Sequence, residues 1–199
     1  VSRGTQKTML ILEAAGFDVI LIETVGVGQS EVTVSEMVDF FLLLLLPGSG
    51  DSLQGIKKGV LELADLIAVN KADGENELRA KQSARDYQSA MALLSNAGSH
   101  WATPVLTCSA LTGQGVSNIW DHISDHHTHA QETGAWSKRR SQQQIRWMWS
   151  MVEDQLIHNL RNEASIAQTV SETEEQVLNG DLSATEAAKA ILALFKESS

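Results

Sequence analysis

Four short apolar runs, interleaved with segments of helical periodicity, constrain the fold of this chain more than any other feature. Asp18 to Thr24, Val38 to Leu46, Leu66 to Val69 and Pro104 to Cys108 lack the polar alternation of a strand with one wet face. Such runs belong to strands covered on both sides. Thr5 to Ala15, Gln54 to Leu63, Leu78 to Leu94 and Val116 to His127 carry the helical patterns around them, the first with Gly16 as its stop. Helix and buried strand in alternation require parallel strands joined by crossover helices, so the chain reads as α/β, a parallel sheet with flanking helices. Ligands of such sheets bind beyond the carboxyl ends of the strands.

Composition narrows the class. The 199 residues carry a formal charge of -10, which opposes a general nucleic-acid binder, since phosphate neutralisation needs a basic face. The longest apolar run, Phe40 to Leu46, is far below the roughly 18 to 20 residues of a membrane helix, and no secretory signal is visible. A cytoplasmic protein is expected, or one of the mitochondrial matrix if the source is eukaryotic. The lone Cys108 is read as a buried core thiol rather than a reactive one. The chain begins at Val1 without an initiator Met, which suggests a fragment or partial gene product.

Three regions are expected. Residues 1–127 hold the alternating pattern, and 128–144 form a polar stretch with Lys138, Arg139 and Arg140, read as a solvated linker in preference to a phosphate or acidic-partner contact. Residues 145–199 form a helical extension. Ile145, Met148, Trp149, Val152, Leu156 and Leu160 recur as an amphipathic stripe. A further helix is expected over Ile166 to Leu178, stopping at Asn179 and Gly180. Ser183-Ala184-Thr185-Glu186 has the capping-box spacing, and Ala187, Ala188, Ile191, Leu192 and Phe195 supply the last apolar face. So small a tail must pack on the α/β unit or on another chain.

The chemistry lies where three strands are expected to end. Asn70-Lys71-Ala72-Asp73 has the form N-K-x-D. An aspartate there accepts from both the ring N–H and the exocyclic amine of guanine, whereas adenine would leave it unpaired. Asn70 would tie loops together, and the stem of Lys71 would lie across the base. Ser109-Ala110-Leu111 offers a backbone amide for the guanine oxygen. Glu23-Thr24-Val25-Gly26 places an acid for a magnesium-bound water and a glycine amide for a terminal phosphate, with capping of the next helix as the alternative for Glu23. Gln29 is a candidate to orient an attacking water, with an exposed structural glutamine as the favoured reading. The glycine-rich Gly48 to Gly59 segment is favoured as a second switch, bringing Asp51, Gln54 and Lys57 toward the nucleotide or a partner, over a plain connection. His122 and His126, one turn apart, have the spacing of a metal pair, although an ordinary solvated helix end is preferred.

The segments Phe17 to Glu31, Leu53 to Gly59 and Ala68 to Asp73 resemble the MeaB/ArgK family of P-loop GTPases, the methylmalonyl-CoA mutase-associated chaperones also labelled LAO/AO transport system kinases or ATPases. The likeness reaches Lys138-Arg139-Arg140 and Ile145 to Trp149. It implies a partial P-loop NTPase sheet that binds GTP or GDP with magnesium and guards or loads the adenosylcobalamin of a mutase. It also implies a homodimer formed through the C-terminal helices. Carried over, Glu23, with Gly26, falls on the magnesium and phosphate side, Asn70, Lys71 and Asp73 on the guanine side, and Ser109 and Ala110, followed by Leu111, on the base-contact loop. A transport-associated kinase, a metal-insertion GTPase and a non-catalytic docking fragment are the alternatives. The phosphate-cradling G-x-x-x-x-G-K-S/T loop and the first magnesium-ligand segment have no counterpart in the 199 residues. The phosphate-loop strand of related folds lies beside the strand ending in Glu23, so a groove in the sheet is expected there, with weak GTP binding and no hydrolysis.

Overall fold

The computed structural model describes residues 3–24, 30–48, 58–94, 101–162 and 164–198. They form two compact units, Val1–Ser141 and Gln142–Ser199. The elements in chain order are α1 (Arg3–Ala14), α2 (Ser30–Ser35), β1 (Leu42–Leu45), α3 (Lys58–Leu63), β2 (Leu66–Val69), α4 (Glu77–Leu94), β3 (Val105–Thr107), α5 (Val116–Glu132), α6 (Ala135–Asn162), α7 (Ala164–Asn179) and α8 (Ala184–Ser198).

The first unit is built on a parallel sheet in the order β1-β2-β3. Leu42 pairs with Leu66 and Leu45 with Val69, while Ile67 pairs with Val105 and Val69 with Thr107. Every residue of β2 is fully buried. Successive side chains of a strand point to opposite faces, and here both faces are covered. Ile67 and Val69 join Val34, Leu45, Leu61, Ala80 and Tyr87 on one side. Leu66 and Ala68 join Cys108 and Ile119 of α5 on the other. Burying an aliphatic side chain of this kind contributes about 1.5–3 kcal/mol, so a strand without polar alternation is the stable choice at the centre of the sheet.

Two expectations need correction. The run Asp18 to Thr24 is not a strand: it is irregular, with Val19 and Leu21 exposed. Phe17 to Thr24 line one wall of a cleft of about 1280 Å³, and Phe40 to Leu45 line the facing wall. An apolar run becomes a strand only when its backbone finds a ladder partner, and residues 18–24 have none among the described residues. The second correction concerns 128–144, which is helical except for a short break at 133–134. Arg139 donates from both terminal nitrogens to the Asp65 carboxylate, at 3.1 to 3.3 Å. Arg140 pairs with Asp39 and Glu13. These arginines are bound to acids of the first unit.

Asp65 opens β2 and gathers the surrounding elements. Its carboxylate accepts from the Phe41 N–H at 2.8 Å, its backbone carbonyl accepts from the Trp101 indole at 2.9 Å, and His126 Nε2 stands 3.8 Å from Oδ1. His126 is buried, edge-on to both Phe40 and Trp101.

In the second unit α7 packs against α8. The capping box is formed: Glu186 N–H donates to Ser183 Oγ at 3.2 Å, and Ser183 N–H donates to Glu186 Oε2 at 3.3 Å. The Ser183 hydroxyl, donating to Glu186 Oε2 at 2.7 Å, and then the Ser183 N–H hold the Glu186 carboxyl below its ordinary range.

Two outcomes follow from the Asp65 cluster. Asp65→Ala strips a part-buried guanidinium and a backbone amide of their acceptor and is expected to destabilise the fold by about 3 kcal/mol in urea unfolding. Burial holds His126 below its ordinary value of 6.5, outweighing the opposing pull of Asp65. The unfolded chain then binds this proton more readily than the folded one, so His126 adds a stability term that is complete above pH 6.5 and lost as pH falls below it. The urea midpoint of His126→Phe is expected to fall less steeply between about pH 6.5 and 5 than that of the parent.

Candidate functional site

β2 and β3 are parallel neighbours, so the loops that follow them leave the sheet side by side at its carboxyl edge. Asn70 N–H donates to the Leu45 carbonyl at 2.8 Å and Cys108 N–H to the Val69 carbonyl at 2.9 Å, extending the ladder past both strand ends. Ala72 N–H then crosses to the Cys108 carbonyl at 2.9 Å. Ala72 and Cys108 are buried, and burial pushes the Cys108 thiol up in pKa, as befits an inert core thiol.

Side chains complete the junction. Asn70 Oδ1 accepts from the Ala110 N–H at 3.0 Å and from the Lys71 N–H at 2.7 Å, with Cys108 Sγ 3.8 Å away. Ser109, fully buried, donates its hydroxyl to Asp73 Oδ2 and accepts from the Thr112 N–H at 3.2 Å. One carboxylate oxygen of Asp73 is thereby fixed while the carboxylate remains part-exposed. Lys71 is exposed and takes a φ of 59°, a left-handed conformation that a side-chain-bearing residue adopts only when its surroundings enforce it. Here the Asn70 side chain caps the Lys71 amide and the Ala72 amide is tied across the loops.

The structure thus brings Asn70, Lys71, Asp73, Ser109 and Ala110 together, with the exposed Leu111 on the same loop. Of the backbone amides that the Ser109-Ala110-Leu111 segment was expected to offer a ligand oxygen, that of Ala110 is engaged by Asn70. Glu23 is exposed and lines the cleft. Gly26, Gln29, Asp51, Gln54 and Lys57 lie outside the described residues. A part-exposed carboxylate held by a buried hydroxyl is an acceptor with a fixed orientation, chemistry suited to paired donors such as the ring N–H and exocyclic amine of guanine. For magnesium, the one carried-over residue is Glu23, an exposed carboxylate. The histidine pair does not converge as a metal site: His126 turns inward, His122 Nδ1 lies 2.8 Å from the Asn118 carbonyl, and no group of three or more metal-capable side chains occurs among the described residues.

Sequence reasoning passed over the turn that shapes the second loop. Ser109 N–H donates to the Gln114 carbonyl and Gly113 N–H to the Ser109 carbonyl, both at 2.9 Å. Gly115 caps α5 with a φ of 77°, where an added Cβ would lie 2.5 Å from the Thr107 carbonyl oxygen. The spacing of Gly113 and Gly115 just before a helical pattern was the available signal. Gly115→Ala must either push α5 away or displace the Ser109 turn. A loss of roughly 1–3 kcal/mol is expected in urea unfolding, with amide shifts in protein NMR spectra spreading to Ser109 and Asp73.

Residues 1–165 match the family described as methylmalonyl Co-A mutase-associated GTPase MeaB. The chain is 50% identical over 195 residues to a Caulobacter vibrioides protein, covering 98% of this chain and 60% of that one. It is 43% identical over 159 residues to the GTPase ArgK of Escherichia coli, covering 80% and 48%. It is 38% identical over 196 residues to the mouse methylmalonic aciduria type A homolog, mitochondrial, covering 98% and 47%. A crystal structure of an LAO/AO transport system kinase aligns with a TM-score of 0.75 at 36% identity, over 96% of this chain and 61% of that one. The chain spans 47% to 61% of the length of these relatives. With the family pattern matched over most of its residues and a shared parallel α/β architecture, the chain belongs to the MeaB/ArgK family of P-loop GTPases.

Proposed function

We propose that this chain is the guanine-reading part of a GTPase that serves an adenosylcobalamin-dependent acyl-CoA mutase, protecting or loading its cofactor. The observation that carries the reading is the double cross-link of the two loops, Asn70 to Ala110 and Asp73 to Ser109. Asp73 accepts from the ring N–H and exocyclic amine of guanine. Ser109 keeps its carboxylate from rotating, and the Lys71 stem covers the base. Glu23 serves the magnesium and phosphate side. Bound magnesium would supply charge neutralisation at the phosphates. Membership of a family named for its association with methylmalonyl-CoA mutase supports the choice of partner.

The exposed stripe of α6, including Ile145, Met148, Trp149 and Val152, supports a homodimer formed through this helical extension. No described helix is long and apolar enough to cross a membrane, and a cytoplasmic location is part of the proposal. The resemblance would put the phosphate-loop strand beside residues 17–24, which line the cleft together with β1.

Asp73→Asn tests the reading. An asparagine amide donates where guanine also donates, so binding of GDP is expected to weaken by about 10- to 100-fold. Xanthosine diphosphate, which presents a carbonyl in place of the amine, is expected to gain. Unchanged preference for GDP would contradict the assignment. The polypeptide alone is expected to show no GTP turnover, having no phosphate-cradling loop in its 199 residues; measurable hydrolysis would overturn that part.

A further inference from the structure

Arg140 sits near the start of α6 with three groups around its guanidinium. Nε donates to Asp39 Oδ1 at 2.8 Å, and one terminal nitrogen donates both to Asp39 Oδ2 and to Glu13 Oε1, the latter at 2.8 Å. The guanidinium carbon lies 4.7 Å from the centre of the Trp136 ring. All four residues line the cleft. Asp39 immediately precedes the wall that contains β1. Glu13, in the last turn of α1, precedes the wall formed by residues 17–24.

The two walls are held unequally. β1 is fixed by its ladder to β2, and Phe41 just before it exchanges bonds with Asp65. Residues 18–24 have no ladder bonds among the described residues, and Met9 and Ile22 give their surroundings only apolar contact with the core, which is non-directional. Between Glu13 and Phe17 the chain is tightly bonded. Gly16 N–H donates to the Glu13 carbonyl at 3.0 Å and Phe17 N–H to the Leu12 carbonyl at 3.1 Å, with Gly16 at a φ of 87° closing the helix. A displacement at Glu13 is therefore passed on to Phe17 rather than absorbed.

We propose that Arg140 is a positioning residue, a two-armed clamp that ties the loosely held wall at Glu13 to the sheet-bound wall at Asp39 and so sets the separation of residues 17–24 from β1. Its double grip on Asp39 orients the guanidinium, and the terminal nitrogen that reaches Asp39 Oδ2 also holds Glu13. The three side chains are partly exposed, at 40%, 27% and 35% for Arg140, Asp39 and Glu13, so the cluster sets geometry while adding little to global stability. The consequence for Glu23, ten residues beyond Glu13, rests on the magnesium-side role proposed above. The clamp itself does not.

The test measures the distance between the walls in the full 199-residue chain with spin labels at Leu21→Cys and Leu44→Cys, both exposed positions, the native Cys108 being buried. The parent is expected to give one narrow distance distribution. Arg140→Ala and Glu13→Gln should each broaden and shift it, Arg140→Lys should recover part of the parent distribution, and adding Glu13→Gln to Arg140→Ala should change nothing further. The urea midpoint should stay close to that of the parent throughout. Distributions of Arg140→Ala and Glu13→Gln that superimpose on the parent's, or broadening only in step with a falling urea midpoint, would overturn the clamp. No nucleotide enters this measurement, so a failed guanine assignment would appear only in the Asp73→Asn experiment.

Discussion

The burial of β2 on both faces is the constraint on which the rest of the first unit depends. Leu66, Ile67, Ala68 and Val69 touch no solvent, so each residue on either side of the strand has its position dictated by a packed neighbour. A one-residue slip would exchange the contents of the two cores. The same register sets Val69 opposite Thr107, and therefore Asn70 and Asp73 beside Cys108, Ser109 and Ala110. Packing in the middle of the sheet thus determines which polar groups meet at its edge.

The two ends of β2 carry different duties. At its start, Asp65 is saturated by Arg139, the Phe41 amide and the nearby His126, a set of contacts that binds α5 and α6 to the sheet. Beyond its far end, Asn70 and Asp73 are cross-linked to the neighbouring loop by bonds that orient them while Asp73 stays part-exposed. A carboxylate consumed by arginine is a fastener. One fixed by a single buried hydroxyl keeps acceptor capacity for a ligand.

What was legible in the sequence was local. β2 was readable to the residue because a run of apolar residues without alternation has one stable environment, and the Ser183 to Glu186 cap because its donors and acceptors lie within one turn. The N-K-x-D element was readable by its spacing, but its tie to Ala110 depends on strand order rather than on neighbouring residues. The misreadings share that cause. Arg139 and Arg140 lie in a polar stretch that carries no hint of their acids, which sit far away in the chain at Asp65, Asp39 and Glu13. Asp18 to Thr24 has the composition of a strand, yet strand formation is a property of a pair of segments. His126 faces inward because Phe40 and Trp101 pack on it, a contact that helical spacing does not encode.

The central claim is that Asp73, fixed by Ser109, reads the two donors on the guanine edge. It is tested most directly by titrating the polypeptide with the monophosphates of guanosine, inosine and adenosine and following the amide signals of Asn70 to Asp73 and Ser109 to Leu111 by NMR. Guanosine has both donors, inosine only the ring N–H, and adenosine neither in that register. The account predicts affinity falling in that order, with the shifts confined to those two loops. Equal affinities, or shifts elsewhere in the chain, would contradict it.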